Sequence, residues 1–288
     1  MKLSIITINF NNAEGLERTL NSTLTQSYEG IEHIIVDGAS TDNSVNVIKE
    51  YVRKVESGES RVESVIWSSE PDKGIYNAMN KGICKASGEY IQILNSGDVL
   101  ASPDVTQKMM DALQLKNEEL RLKNEDGVPI LYGNMIKQDY TSEKTIGKSG
   151  EVEYSLRNYY SGTMNHDCCY IRRDLFDTYG LYDEKLKIVS DWKWFLQAVG
   201  MGKVRPVYVD IDVTIFDASG ISESNLELRN KERRHVLGEV LPPAVLADYD
   251  KHAFETQQID RLRKHHLYGF VYFMERVLFK LEKWHILR

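Results

Sequence analysis

The sequence has few of the residues that staple a fold together from outside its core. Its 288 residues include three cysteines, Cys84, Cys168 and Cys169. Two of them are adjacent and no Cys-x-x-Cys spacing occurs, so neither a disulfide framework nor a cysteine-based zinc site is expected. No window reaches the roughly 18 uninterrupted apolar residues of a membrane-spanning helix. Met1-Lys2 leads straight into the strand-like LSIITINF, without a charged region followed by an apolar one, so no secretory signal is expected and the compartment is read as a reducing cytoplasm. Familiar nucleotide-binding plans are missing too. No GxGxxG follows the first strand, no GxxxxGK[ST] exists, and TINFNNAEG lacks the basic residues of the glycine-rich loop in sugar-nucleotide pyrophosphorylases. There is no internal repeat and no low-complexity run.

What is present is the composition of a globular protein, 42% hydrophobic and 27% charged with a net charge of −7, long enough for one large or two modest domains. The charge is unevenly spread. Residues 261–288 carry seven Lys/Arg and two Asp/Glu, leaving 29 basic and 41 acidic residues in the rest of the chain. An acidic main body argues against a nucleic-acid partner, and the basic tail has a distinct role.

The first hundred residues alternate. KLSIITINF, IEHIIVD, VESVIWSS and YIQIL read as strands. Between them lie helical stretches: one with Leu16, Leu20 and Leu24 at i, i+4 spacing behind an Asn11…Glu14 capping box, one with Val45, Ile48, Val52 and Val55 on a face, and IYNAMNKGICKA. Strands joined by helical crossovers imply an α/β fold with a mainly parallel sheet, whose ligands bind beyond the carboxyl ends of the strands. Polar clusters sit at those ends: Thr7–Asn12, Asp37–Asp42, Glu70–Gly74 and Asn95–Asp98. Further along, VTQKMMDALQLKNEELRLKNEDG reads as a helix, PILYGNMIKQ and CCYIRRD as strands, SDWKWFLQAVG as a short helix and VRPVYVDIDVTIF as a last pair of strands. From about residue 226 the chain is helical, highly charged and separate from the sheet.

Five segments in order, SIITINFNN, IIVDGASTDNS, SEPDKGIYNAMNKGI, EYIQILNSGD and YGLYDEKLKIVSDWKWFLQ, resemble the family-two inverting glycosyltransferases of the GT-A fold. SEPDKGIYNAMNKGI is most similar to the branch that builds bacterial surface polysaccharides such as O-antigen and capsule. The resemblance covers residues 1–225, and implies a nucleotide-binding half (1–100), an acceptor half (101–225) and a C-terminal helical extension (226–288). It implies a nucleotide-sugar donor, UDP-linked in preference to GDP- or dTDP-linked, and a glycan or lipid-linked acceptor.

The resemblance also implies roles. Thr7 and Asn9 would line the nucleoside pocket and Asp37 would accept from uracil or ribose, unless it only caps the turn before the next helix. Glu70, Asp72 and Lys73 form either a solvated loop or a diphosphate cradle, which Gly74 and the helix start behind it favour. Asn77 and Asn80 face the donor or solvent, and Ser96 lies on the donor side. Asp98 would hold a Mg or Mn ion, or merely close a strand-end turn; NSGD stands where the family shows a DxD-like cluster, so one carboxylate remains. Asp191 would be the general base, or a helix cap. Of Trp192 and Trp194, one belongs to the core and the other, taken as Trp192, can stack on an acceptor sugar. His166 touches acceptor or diphosphate, or is structural, and Cys168 and Cys169 read as small buried hydrophobes. FDASGISESN (216–225), pivoting at Gly220, would fold over the donor.

In the tail, Leu267, Phe270, Val271, Met274, Val277, Leu278 and Leu281 share a stripe flanked by Tyr268, Tyr272, Phe273 and Trp284, with Arg276, Lys280 and Lys283 off it. Such a helix docks on the catalytic domain or on a second subunit of a homodimer, or lies on an anionic membrane at the inner face of the cell. An inactive nucleotide-sugar sensor or scaffold on the same fold is the rival reading to an enzyme.

Overall fold

The computed structural model describes residues 1–139, 144–152, 155–217, 225–264 and 268–283. Its first half follows the alternation read from the sequence: β1 (Leu3–Asn9), α1 (Ala13–Leu24), β2 (Ile31–Asp37), α2 (Ser44–Glu56), β3 (Val62–Ser69), α3 (Ile75–Lys85) and β4 (Tyr90–Ile93). These strands lie in the order β3-β2-β1-β4, all parallel. β1 and β2 are buried along their whole length, which is why they read as nearly continuous apolar runs. At the start of α1 the expected cap is displaced by one residue. Asn12 is the N-cap, accepting from Gly15 N at 3.1 Å, while Asn11, at φ 50°, turns away to accept from Thr41 N.

The second half contributes β5 (Val99–Leu100), α4 (Val105–Leu122), β6 (Ile130–Asp139), β7 (Lys144–Lys148), α5 (Leu156–Ser161), a 3-10 turn at His166–Cys168, β8 (Cys169–Arg172), α6 (Asp174–Tyr179), α7 (Ser190–Phe195) with a π turn at Leu196–Gly200, and β9 (Val207–Asp217). The sheet continues β4-β8-β6-β9-β5, with β7 on β6. β8 is antiparallel to β4 and β6, and β6 is parallel to β9. Hence β6 and β9 end at the same edge as β1 to β4, and β8 begins there. That topology gathers the NSGD turn, the His166 turn and Asp217 at one edge. The expected pair of strands in VRPVYVDIDVTIF is one strand. Its acidic residues, which resemble a turn, are held by the neighbouring strand: Asn134 Nδ2 donates to Asp210 at 2.9 Å and Asp212 at 3.1 Å.

One core cluster joins Leu3, Ile5 and Ile31 to Met109 and Leu113 of α4 and on to Tyr170 and Val213. A second packs Leu16 and Leu20 of α1 with Ile48 and Tyr51 of α2 over Ile35. Tyr51, absent from the expected α2 stripe, is drawn in by its hydroxyl, 2.7 Å from His33 Nδ1; Val45 is only half-buried. α3 packs on the other face, where a Cβ on Gly82 would sit 2.4 Å from Ile6 Cγ2.

The chain divides into two compact units, Met1–Arg233 and Arg234–Arg288. The break falls inside α8 (Leu226–Val240) rather than before it. Glu232 explains this, since its carboxylate accepts from Lys187 N at 2.7 Å and Ile188 N at 2.9 Å and so ties the first half of α8 to the sheet unit. The second unit holds the rest of α8, α9 (Pro243–Lys264) and α10 (Tyr268–Lys283), with a two-pronged Arg234–Asp250 ion pair at 2.6 and 2.7 Å. No helix among the described residues is long and apolar enough to cross a membrane. On α10, Phe270, Phe273 and Phe279 are 64%, 61% and 67% exposed.

β6 runs close against β9 at Gly133, where a Cβ would lie 2.4 Å from the backbone oxygen of Ile211. Backbone cannot swing aside as a side-chain tip can. Gly133→Ala is therefore expected to cost about 1–3 kcal/mol by overpacking, read as a fall in Tm on thermal unfolding; an unchanged Tm would show that the two strands separate freely.

Candidate active site

Asp191 is the second residue of α7, and the helix has no side-chain cap. Its carboxylate is therefore not engaged in capping. Oδ1 accepts from the Tyr76 hydroxyl at 2.8 Å, and Oδ2 lies 2.9 Å from His166 Nδ1. Burial alone would raise the Asp191 carboxyl; the hydrogen bond and charge of His166, with Tyr76, outweigh it and hold the group below its usual range. Burial likewise opposes the charge on His166, yet the bond to Asp191 and the charges of Asp191, Asp167 and Asp98 raise it to about 9. A doubly protonated ring donates from Nε2 too. The Asn95 side-chain amide lies there, its Nδ2 3.1 Å away and its Oδ1 buried without a partner. Turned toward the ring, that oxygen completes a chain Tyr76–Asp191–His166–Asn95. Burial, followed by the charge of Asp191, pushes the Tyr76 phenol far up, so it stays a neutral donor.

Asn95 opens the NSGD turn, which links this chain to Asp98. Gly97, at φ 110°, allows the turn, and its N–H donates to Thr19 Oγ1 at 2.9 Å. The carbonyl of Ser96 accepts from Asn12 Nδ2 at 3.2 Å. Asp98 is 4% exposed and accepts from Asp217 N at 3.0 Å. Burial, then the charge of Asp167, pushes its carboxyl well above the usual range. Asp167, itself raised chiefly by burial, accepts from the Thr214 hydroxyl at 2.6 Å. Among the described residues no group of three His, Cys, Asp or Glu side chains is arranged to hold a metal. The donor set does fit a hard cation shared with a substrate's phosphates, which needs only one or two carboxylates. Asp98, crowded by like charge, is where such a cation would relieve repulsion.

At the other end of the edge, Asp37 differs from the expected open acceptor. Its Oδ1 already accepts from Asn9 Nδ2 at 2.8 Å and Ser40 Oγ at 2.6 Å, and its Oδ2 from Ser40 N at 3.0 Å and Ser69 Oγ at 2.6 Å. Burial would raise its carboxyl, but these four donors hold it down. The acceptor left over is Asn9 Oδ1, buried and without a partner. Thr7 is fully buried, with its hydroxyl 3.0 Å from His33 Nε2. In the EPDKG loop, Glu70 pairs with Lys81 at 3.0 Å, Asp72 accepts from Gly74 N at 2.8 Å, and Lys73 is exposed. Gly74, at φ 120°, starts α3 with no side-chain cap, so the first amides of that helix have no acceptor from a capping side chain.

Asn77, half-buried, and Asn80, buried, both reach the segment ahead of α7. Asn77 Nδ2 donates to Glu184 at 2.9 Å, and Asn80 Nδ2 to Tyr182 O at 2.9 Å and Glu184 at 3.0 Å; Asn80 Oδ1 accepts from Tyr182 N. α3 thereby clamps the YDE segment that leads to Asp191.

Beside Asp191 opens a pocket of about 130 Å³ lined in part by Lys137, His166, Trp192, Arg229 and Arg233. Trp192 does not offer a free stacking face: it is 1% exposed, its Nε1 donates to Tyr159 O at 2.9 Å, and the Arg233 guanidinium lies 5.0 Å over its ring. Trp194 belongs to the core, stacked on Phe176 at 4.9 Å. Cys168 and Cys169 are buried, their thiols pointing at Asn165 O. Sequence reasoning missed Tyr76, Glu184, Arg229 and Arg233. The two arginines carried one available signal, an Arg-x-x-x-Arg spacing just after the sheet. Of the expected donor-covering loop, residues 218–224, including Gly220, lie outside the described residues.

If Asp191 is what keeps His166 charged, Asp191→Asn lowers the imidazole pKa from about 9 by at least one unit, measured by NMR titration. In linkage terms, the stabilisation from the raised His166 is complete below its unfolded value and is lost as pH rises through about 9. A value still near 9 in the variant would contradict the pairing.

Residues 4–180 match a family model described as glycosyl transferase family 2. An uncharacterized glycosyltransferase of Mycobacterium tuberculosis is 32% identical over 225 residues, covering 76% of this chain and 76% of its own. A PGL/p-HBAD biosynthesis glycosyltransferase of Mycobacterium bovis is 23% identical over 217 residues, covering 75% and 77%. Among solved structures, Staphylococcus aureus TarS 1–349 in complex with UDP-GlcNAc superposes with a TM-score of 0.60 at 19% identity, over 82% of this chain and 64% of that one. The mannosyltransferase PcManGT of Pyrobaculum calidifontis, in complex with GDP-Man and Mn2+, gives 0.56 at 16% identity over 81% and 60%. At such identities the solved structures speak for the fold alone, a GT-A-like α/β sheet flanked by helices. The chain spans less than two thirds of the length of those two solved chains.

Proposed function

Since the chain belongs to glycosyl transferase family 2, we propose that it moves a sugar from a UDP-sugar to a glycan or lipid-linked acceptor with inversion, in bacterial surface polysaccharide synthesis of the O-antigen or capsule kind. The observation that carries this reading is the Asp191 carboxylate, held ionised by Tyr76 and His166 beside a pocket, with the Asp98 turn joined to it through Asn95. In the proposed step an acceptor hydroxyl enters the pocket and gives its proton to Asp191 as its oxygen attacks the anomeric carbon. The bond to the diphosphate breaks on the opposite side. Asn9 Oδ1 is the acceptor suited to a nucleobase N–H. A Mg or Mn ion, held by Asp98 and the donor's phosphates, would supply the positive charge that stabilises the departing diphosphate. The nucleotide-sugars in the TarS and PcManGT complexes support the donor class.

His166 contributes by position and charge. As a cation beside Asp191 it fixes the carboxylate's orientation and keeps it ionised, and the second proton binds Asn95. The proton taken from the acceptor is therefore received by the Asp191 carboxylate. Asp191→Asn is expected to cut transfer by about 10²- to 10⁴-fold while nucleotide-sugar binding, followed by thermal shift, persists. Retained turnover would remove Asp191 from the role of base, and a wild-type chain that binds nucleotide-sugar but turns over no acceptor would favour the sensor reading.

We place this activity at the inner face of a membrane, where lipid-linked acceptors reside. Support comes from α10, whose Phe270, Tyr272, Phe273 and Phe279 are exposed and whose surrounding sequence, 261–288, has seven basic against two acidic residues. Removing 261–288 is expected to abolish co-sedimentation with anionic liposomes; equal sedimentation of the shortened chain would exclude this contact.

A further inference from the structure

The pocket beside Asp191 is lined by four basic side chains, Lys137 at the end of β6, His166 before β8, and Arg229 and Arg233 on α8, against the carboxylates of Asp167 and Asp191. Both carboxylates are already engaged, Asp191 by Tyr76 and His166 and Asp167 by Thr214. Arg229 and Arg233 are four residues apart on one helix, so they leave it on the same face. The helix is anchored there by Glu232, between them, whose carboxylate takes the backbone amides of Lys187 and Ile188. Arg233 is further placed by Trp192, with its guanidinium 5.0 Å over a ring whose indole N–H is itself held by the Tyr159 carbonyl. Burial, and then repulsion from Arg229, hold the Arg233 guanidinium below its usual range, against the pull of Asp191. Two guanidiniums on one helix face lining one pocket, one of them seated over an indole ring, suit a bidentate oxyanion.

The side of the reaction follows from the neighbours. The pocket that holds both arginines is lined by Asp191, the group assigned to the incoming hydroxyl, and its lining among the described residues does not include Asp98, where the donor's diphosphate is placed above. Attack and departure occur on opposite sides of the anomeric carbon, so an anion held by these arginines arrives with the acceptor. We propose that Arg229 and Arg233 form a phosphate-binding subsite for the acceptor, and that the molecule receiving the sugar carries a phosphate a short distance from the reacting hydroxyl. The word acceptor rests on the transferase reading; the phosphate site does not.

The test titrates the full chain with glycerol 3-phosphate, with dihexanoyl phosphatidic acid and with glycerol, following the Trp192 indole N–H by NMR and identifying it through Trp192→Phe. Both phosphates are expected to shift the signal saturably, with and without saturating UDP or GDP, while glycerol leaves it in place. Tighter binding of the lipid marks a lipid phosphate as the source, and equal or tighter binding of glycerol 3-phosphate marks a phosphate within a glycan. Arg229→Gln and Arg233→Gln are each expected to weaken binding roughly tenfold, and Arg229→Lys less, with thermal unfolding confirming that each variant is folded. No shift, unchanged affinity in both glutamine variants, or competition by UDP or GDP would overturn the proposal, the last by assigning the arginines to the donor. Binding is read without turnover, so phosphate binding in a chain that transfers no sugar counts against the transferase reading and leaves the subsite standing.

Discussion

The site depends on two hydrogen bonds to one carboxylate. Tyr76 comes from α3, in the first half of the sheet unit, and His166 from the turn before β8; both end on Asp191 of α7. Remove that carboxylate and the two halves of the edge lose their common point. The clamp of Asn77 and Asn80 on Tyr182 and Glu184 does the preparatory work, holding the segment ahead of α7 against α3. The sheet order makes this possible: β8, inserted antiparallel between β4 and β6, brings its leading turn to the edge where the parallel strands end.

The same geometry sets two buried carboxylates to opposite behaviour. Asp98 sits beside Asp167 and is pushed up; Asp191 sits beside His166 and is pulled down. Environments that separate the affinities of two like groups for protons commonly mark different tasks within one reaction. Here the ionised group suits proton acceptance and the crowded one suits a cation. His166 lies between them, bonded to one and within the field of the other, so the two assignments are physically coupled.

Much of the fold was legible beforehand. The four parallel strands show as apolar runs because both faces of β1 and β2 are covered, and the polar clusters at their ends mark the edge. Asp98 and Asp191 stand at positions that the motifs single out. What periodicity cannot carry is pairing across distance. Tyr76 reads as one more ring on a helix, although its hydroxyl reaches a residue far along the chain. Asp37 reads as an acceptor for uracil or ribose or as a turn cap, because Ser40, in a turn, and Ser69, at a strand end, look unrelated until the fold brings both to it. Arg229 and Arg233 look like part of a solvated helix, and only the anchoring of Glu232 reveals that this helix begins inside the sheet unit.

The most direct measure of the central claim is the pH dependence of kcat/KM for sugar transfer in the wild type and in His166→Asn. With the cation gone, burial dominates the Asp191 carboxyl, and the acid limb of the profile is expected to move to higher pH by about one unit or more. An acid limb that stays in place would mean that His166 does not hold Asp191 ionised, and the account of the site built on that pair would be wrong.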